Sequence, residues 1–336
     1  MRKPRKFLKL PEQTQFFHVT SRIVNGDQVI GCEEKAFFLK VMRKLELFTG
    51  IRIITYCLMD NHFHLLMKVP APIPLRDEEI IKRMEHLYPK AQLDLFKEAL
   101  KSARKHGKHE LTDLMCRKVT LRMFDLSMFM KDLKQRFTQW FNRRHSRRGT
   151  LWEERFRSVL LEGSKHVLMT TGAYIDLNPV RAGLCNDPKD YPFSGFGAAM
   201  KKQQTALNRL ALIPSETELP KSESVSLNSY RNYLYSANPH KAIHGDTPAD
   251  LRTFDKRKAL RELSKSGILD FWQLLRCRVR YFSSGTVLGS RSFVDSFFID
   301  KREYFGPRRS SGARTMKGGD WCGIYSLRNL AMNLYR

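Results

Sequence analysis

The sequence predicts an α+β fold. A ferredoxin-like antiparallel sheet with helices on one face comes first, and a mostly helical, basic C-terminal region follows. Three observations predict it. Over the first 200 residues, segments of strand composition and segments of helical spacing alternate as β-α-β-β-α-β-α. The two central strands are separated only by Met59-Asp60-Asn61, which makes them a hairpin. Hydrophobic residues make up 42% of the 336, and 22 are phenylalanine, enough for a packed core rather than a basic tail.

Phe16 to Val24 reads as the first strand, rich in aromatic and β-branched residues and closed by the turn Asn25-Gly26-Asp27. Glu33 to Phe48 reads as a helix, with Phe37, Val41, Leu45 and Phe48 at helical spacing and Gly50 just beyond. Ile51 to Leu58 and His62 to Val69 form the hairpin. A charged, helical excursion at 70–119, opened by Pro72 and Pro74, interrupts the pattern. Leu126 to Phe141 is the second firm helix, with Phe129, Leu133, Phe137, Trp140 and Phe141 on one face. Arg155 to Leu161 supplies the fourth strand, and Ser164 is placed to cap a third helix running through Tyr174 toward Pro179.

The domain expected from this order covers residues 1–200. A Gln-, Ser-, Thr- and Pro-rich linker is expected at 201–229, and a basic accessory region at 230–336. In that last region Leu260 to Phe282 is helical in pattern. Tyr281 to Val294, with its turn at Gly285 to Gly289, has the outline of a helix-turn-helix-like DNA contact.

Charge narrows the function. Lysine and arginine number 60 against 34 acidic residues, a net charge of +26. Self-repulsion of that size destabilises a compact state unless a polyanion offsets it, and nucleic acid is the commonest polyanion. A membrane surface is the competitor, but the sequence shows neither a span, a signal-peptide core nor a lipidation signal. Six scattered cysteines without a Cys-x-x-Cys pair read as reduced thiols of a cytoplasmic protein. P-loop, Gly-x-Gly-x-x-Gly and His-Glu-x-x-His motifs are absent.

Two pairs carry candidate chemistry. His62 and His64 are two apart on a strand, so both imidazoles project from one face and could hold a divalent metal. Taken alone, a His-x-His pair is more often the polar face of a sheet. Tyr174 and Asn178 are four apart on a helix and share a face. A phenol becomes a useful nucleophile when its surroundings are electropositive; taken alone, Tyr174 reads as a rim residue of the core.

Four ordered blocks bring these pairs together, because they resemble the single-tyrosine HUH transposases. Thr-Tyr-Cys-Leu-Met-Asp-Asn-His-Phe-His-Leu-Leu-Met (55–67) is similar to their His-hydrophobic-His signature. Gly-Thr-Leu-Trp-Glu-Glu-Arg-Phe-Arg-Ser (149–158) resembles their Gly-x-Leu-Trp-x-x-Arg-Phe-x-Ser block, and Ala173 to Leu184 resembles their tyrosine helix. Tyr191-Pro-Phe-Ser-Gly-Phe196 follows in place. The opening Phe17-His-Val-Thr-Ser-Arg22 and the Asn178-Pro179 pair point to the REP-associated tyrosine transposase branch. The resemblance covers residues 16–70 and 120–196, and departs where Asp60 replaces the family's proline and where the insertion at 70–119 is long.

The resemblance implies an HUH nuclease fold and a mechanism. Tyr174 would be the catalytic nucleophile on single-stranded DNA, giving a 5′-phosphotyrosine and a free 3′-hydroxyl for strand transfer. His62, His64 and Asn178 would be the metal ligands, for Mg²⁺ or Mn²⁺. The expected partner is a hairpin-forming or repetitive palindromic DNA, and the chain is expected to be a monomer or homodimer. A non-catalytic hairpin-binding regulator of the same fold, and a replication or mobilisation nickase, are the alternatives. Expected DNA contacts are Arg143, Arg144, Arg147, Arg148, Trp152, Arg155, Arg157 and Arg181. Most of these fall in Lys131 to Arg157, where nine basic and three acidic residues are interleaved with aromatics.

Overall fold

The computed structural model describes residues 8, 12–213, 227–235, 269–277 and 279–328. Its first half is built from β1 (Gln15–Arg22), α1 (Cys32–Thr49), β2 (Arg52–Leu58) and β3 (His62–Val69). Three helices follow, α2 (Asp77–Met84), α3 (Lys90–Lys105) and α4 (His109–Thr120), then α5 (Leu126–Arg144) and β4 (Arg157–Leu161). The rest comprises α6 (Lys165–Asp176), α7 (Asn178–Arg181), α8 (Gly195–Met200), α9 (Gln204–Leu210), α10 (Leu227–Tyr235) and short helices at Phe271–Arg276, Arg280–Ser284 and Arg291–Asp300. Three short strands complete it: β5 (Val287–Gly289), β6 (Arg314–Thr315) and β7 (Tyr325–Ser326).

All seven strands lie in one sheet, ordered β2-β3-β1-β4-β5-β7-β6. The first four strands pair antiparallel in the expected ferredoxin-like order. α1 and α5 cover one face, as their apolar stripes require. Phe38 packs on Phe63 and Phe137 at ring-centroid distances of 4.9 and 5.3 Å. Gly50 ends α1 in the left-handed region, at φ 79°, where a side chain would be strained. Asp125 starts α5 by accepting hydrogen bonds from the backbone N–H groups of Ser127 and Met128. The insertion folds back as α2, α3 and α4 around a small core of its own, with Ile80, Met84, Leu93, Val119 and Met123 against Phe48 of α1.

The second face of the sheet is also covered. α6 is buried on nearly every side, which its mixed apolar composition permits, and it packs among Phe196, Tyr230, Leu274, Phe282 and Leu288. Several expectations change here. Val287–Gly289, expected as the turn of a helix-turn-helix-like element, is β5, paired parallel to β4 through Leu160↔Val287 and Leu161↔Leu288. Its apolar residues satisfy the open edge of β4, a stronger demand than the local turn signal. Within the expected linker, Gln204–Leu210 forms α9 with Ala206 and Leu210 buried. The helix expected over Leu260 to Phe282 is two short helices in its described part, and 260–268 lies outside the described residues. Ser164 does precede α6, but its hydroxyl donates to Glu162 instead of capping the helix.

At the hairpin turn, Asp60 accepts a 2.5 Å bond from the buried ammonium of Lys35 on α1. Its backbone carbonyl accepts from Ile30 N–H. An ion pair thus fixes the turn at the position where the resembled family has proline. Among the described residues, no helix is long and apolar enough to cross a membrane.

Candidate active site

Register decides which side chains meet. β1 and β3 pair with Thr20 opposite His64 and Arg22 opposite His62. Directly opposed residues share a face, so His62 and His64 project toward α6 while Phe63 enters the α1/α5 layer. Their rings stand 5.1 Å apart at 76°. Across the sheet the same row continues from Thr20 to Arg157 on β4 and from His64 to Cys57 on β2.

A third histidine joins them. His18 of β1 is buried, and its ring stacks on His64 at 5.1 Å and 22°. Its Nδ1 lies 2.8 Å from the carbonyl oxygen of Phe282, and its Nε2 lies 2.9 Å from Nδ1 of His64. The proton positions follow from this geometry. A carbonyl only accepts, so His18 carries its proton on Nδ1. Burial pushes the His18 pKa down to about 4, so the ring is neutral and its Nε2 accepts. His64 therefore donates from Nδ1, which in a neutral ring puts the lone pair on Nε2.

The same logic fixes His62. The amide nitrogen of Asn61 donates to the Gly26 carbonyl at 2.8 Å, which leaves Asn61 Oδ1 facing Nδ1 of His62 at 2.6 Å. His62 donates there, which in a neutral ring likewise puts the lone pair on Nε2. Two imidazoles on one sheet face, each held at Nδ1 by an acceptor, make a suitable pair of donors for a divalent cation. Among the described residues there is no cluster of three or more His, Cys, Asp or Glu side chains that could hold a metal.

Tyr174, on the buried side of α6, is 2% exposed. Its ring makes edge contacts with His18 and His64 at 6.1 and 6.4 Å. Phe282 stacks on it at 4.5 Å and 20°. The Arg181 guanidinium sits 4.1 Å from the ring centroid, held by the carbonyl of Leu275 at 2.7 Å and by that of Tyr174 itself. Asn178 opens α7 one turn beyond Tyr174, and its amide nitrogen donates to the carbonyls of Tyr174 and Ile175 at 3.2 and 3.0 Å. That orientation makes Oδ1 the atom Asn178 can offer a ligand. Asp176, between them, accepts from Thr55, Tyr230 and the Phe196 N–H, and burial raises its pKa to about 7.

The expected DNA contacts divide. Arg157 lies in the row of His64, exposed and paired with Glu154 at 2.6 Å, and Arg155 is exposed just before β4. Arg147 and Arg148 lie in the loop after α5, half-buried and exposed respectively. Arg144 is paired with Glu33 and Glu34. Arg143 faces the outer side of the α1/α5 layer, away from Tyr174. Two assignments are corrected. Trp152 is 7% exposed, packed on Phe63 and Phe137, and its Nε1 donates to Thr138, so it is a core ring and offers no face to a base. Arg181 is half-buried, over the Tyr174 ring and bonded to the carbonyls of Leu275 and Tyr174, so it stands beside Tyr174 and not on an open surface.

His18 and Phe282 were not among the expected site residues. His18 had a faint signal, since it alternates with Thr20 and Arg22 on β1 and so faces the histidine pair once the register is known. Phe282 had none.

No family model matches the chain, and no curated protein matches it. Among solved structures, the chain is similar to that of the REP-associated tyrosine transposase bound to a REP hairpin, at a TM-score of 0.37 and 16% identity. The match covers 67% of this chain and 99% of that one, and at that score the likeness adds no weight to the geometry above.

Proposed function

We propose that this protein cleaves and rejoins single-stranded DNA through a covalent link to Tyr174. The observation that carries the reading is the packing of Tyr174 against the sheet face that carries two histidines, each held at Nδ1 by an acceptor. A basic chain supplies the affinity for DNA. In the reaction, the Tyr174 oxygen bonds to a backbone phosphorus as the bond from phosphorus to the 3′-oxygen breaks. The phenol proton is lost and the 3′-oxygen gains one, so a 5′-phosphotyrosine and a 3′-hydroxyl result. A later 3′-hydroxyl can reverse the step and join the strand.

His62 and His64, with Asn178 Oδ1 as third donor, would hold Mg²⁺ or Mn²⁺; two imidazoles suit Mn²⁺ better than the harder Mg²⁺. When bound, such an ion polarises a phosphoryl oxygen as a Lewis acid. The chain's own residues do the rest. His18 holds the proton of His64 on Nδ1, and Asn61 does the same for His62. Arg181, over the Tyr174 ring, is positioned to balance negative charge that develops on the phenol oxygen. Arg157, in the His64 row, is the cation placed to meet the neighbouring phosphate.

A second reading is DNA binding without chemistry, and one observation favours it: Tyr174 is covered by Phe282 and Arg181. One experiment separates the two. The protein is incubated with Mn²⁺ and a labelled single-stranded hairpin, then run on a denaturing gel beside Tyr174→Phe and His62→Ala. Covalent chemistry gives a shifted band that is absent from both variants. A native gel shift with no denaturation-resistant band establishes the binding reading.

A further inference from the structure

On the side of the sheet away from Tyr174, α1 and α5 run antiparallel, with Glu33 and Glu34 at the start of α1 meeting Arg144 and His145 at the end of α5. Each helix turns a second stripe outward. On α1 it is Phe37, Lys40 and Lys44, and on α5 it is Arg136, Trp140 and Arg143. Both stripes keep the spacing of one helical face. With Leu87 from the insertion closing one end, they line a groove of 350 Å³. Phe37 and Trp140 stack at 4.0 Å and 7° to form its aromatic floor.

The charge in this groove is one-sided. Four cations line it and no carboxylate does. Lys40, Lys44 and Arg143 are exposed and Arg136 is half-buried, and none of the four makes an ion pair among the described residues. Lys40 and Lys44 are one turn apart on the same face, an arrangement of like charges that weakens a helix. Some cations elsewhere do have a carboxylate, such as Arg104 with Asp77 and Arg209 with Glu46. Only a few ångströms along the same helix pair, Arg144 and His145 have their glutamates. An uncompensated set of this kind is completed by a polyanion, and an aromatic floor suits one that carries bases.

We propose that this groove is a second DNA contact, which grips the phosphate backbone of a part of the strand outside the reacting segment. The inference rests on DNA being the partner, as in the reading above, but not on Tyr174 chemistry. It gives the insertion a place in binding, since Leu87 walls the groove, and it assigns Arg143 to a phosphate far from the catalytic face.

The test is the salt dependence of binding by the full chain. Fluorescence anisotropy with a labelled hairpin carrying a single-stranded tail is followed across a salt series. Wild type is compared with a Lys40→Gln, Lys44→Gln, Arg136→Gln, Arg143→Gln variant and with the charge-reversed pair Lys40→Glu, Lys44→Glu. Loss of four phosphate contacts lowers the log–log salt slope by roughly 3, at about 0.7 per contact on a single strand, and weakens binding at least ~10-fold at low salt. The charge-reversed pair weakens binding likewise. Circular dichroism melting of both variants does not fall below the wild-type value, because three of the four side chains are exposed, the fourth is half-buried and none makes an ion pair among the described residues. Unchanged slope and affinity in both variants overturn the proposal. So does loss of binding to anionic lipid vesicles with DNA binding intact, which would assign the groove to a membrane surface. A covalent adduct with an unchanged slope leaves the tyrosine reading standing and removes the groove. A reduced slope with no adduct in any sample does the reverse.

Discussion

At His18 a strand position and a proton position are decided together. The residue sits on β1 where its ring reaches both the Phe282 carbonyl and His64, and those two contacts settle which nitrogen of His64 bears the lone pair. Replacing it with phenylalanine keeps an aromatic ring in the layer and removes the acceptor. Histidine ligands that lose such a partner typically lose metal affinity by roughly 10- to 100-fold. His18→Phe is therefore expected to weaken Mn²⁺ binding by that factor in an electron paramagnetic resonance titration, while Tyr174→Phe binds Mn²⁺ like wild type. Equal Mn²⁺ affinity in wild type and His18→Phe would remove His18 from the site. The histidine pair was visible as His62-Phe63-His64 because alternation along a strand is local. His18 was not, because its partner lies 46 residues away and only the β1–β3 register brings them together.

α6 shows how one helix couples the site to the rest of the core. Its buried Asp176 has a pKa raised to about 7, whereas His18 across the layer has one lowered to about 4. Their effects on stability have opposite signs. Between pH 6.5 and 4 the unfolded chain protonates His18 and the native chain does not, so stability falls as pH falls, by on the order of 3 kcal/mol. Asp176 takes up its proton in the native state first, near pH 7, so it adds stability as pH falls from 7 toward its unfolded value of 3.8. The two slopes offset each other. Asp176→Asn removes one of them, so its stability in urea titrations should decline from pH 6.5 to pH 4 more steeply than that of wild type. A parallel pair of curves would refute this coupling.

The same scale shows which elements the sequence makes legible. α1 and α5 announce themselves, because a long apolar stripe with a glycine stop or an aspartate cap is written in neighbouring residues. β5 is only three residues long and carries no period of its own; it is a strand because β4 has an edge to fill. α9 is short and polar on most sides, tied to the core by Ala206, Leu207 and Leu210 and by the Arg209–Glu46 ion pair. Trp152 misleads for the reverse reason, since a basic, glycine-bearing neighbourhood signals exposure while the ring itself turns inward.

Across the whole molecule, the described residues of the region expected to be accessory pack into the same hydrophobic core as α6. Phe271, Leu274, Phe282 and Leu288 pack in the same cluster as Tyr174 and Ile175. A chain ended after residue 213 would lose these contacts and expose the β4 edge. Such a truncation is expected to lose cooperative melting by circular dichroism rather than yield a trimmed, stable nuclease domain; a sharp transition near the wild-type temperature would show that the first 213 residues suffice.

The bond from His18 to the Phe282 carbonyl spans 264 residues. During synthesis, β1, the hairpin and α6 emerge long before that carbonyl exists. A nascent chain therefore holds every side chain of the expected chemistry while His18, the partner of His64, still lacks the carbonyl that fixes its own tautomer. Translation itself orders events: the chain of hydrogen bonds from Phe282 through His18 to His64 closes only after the sheet face and α6 have been made.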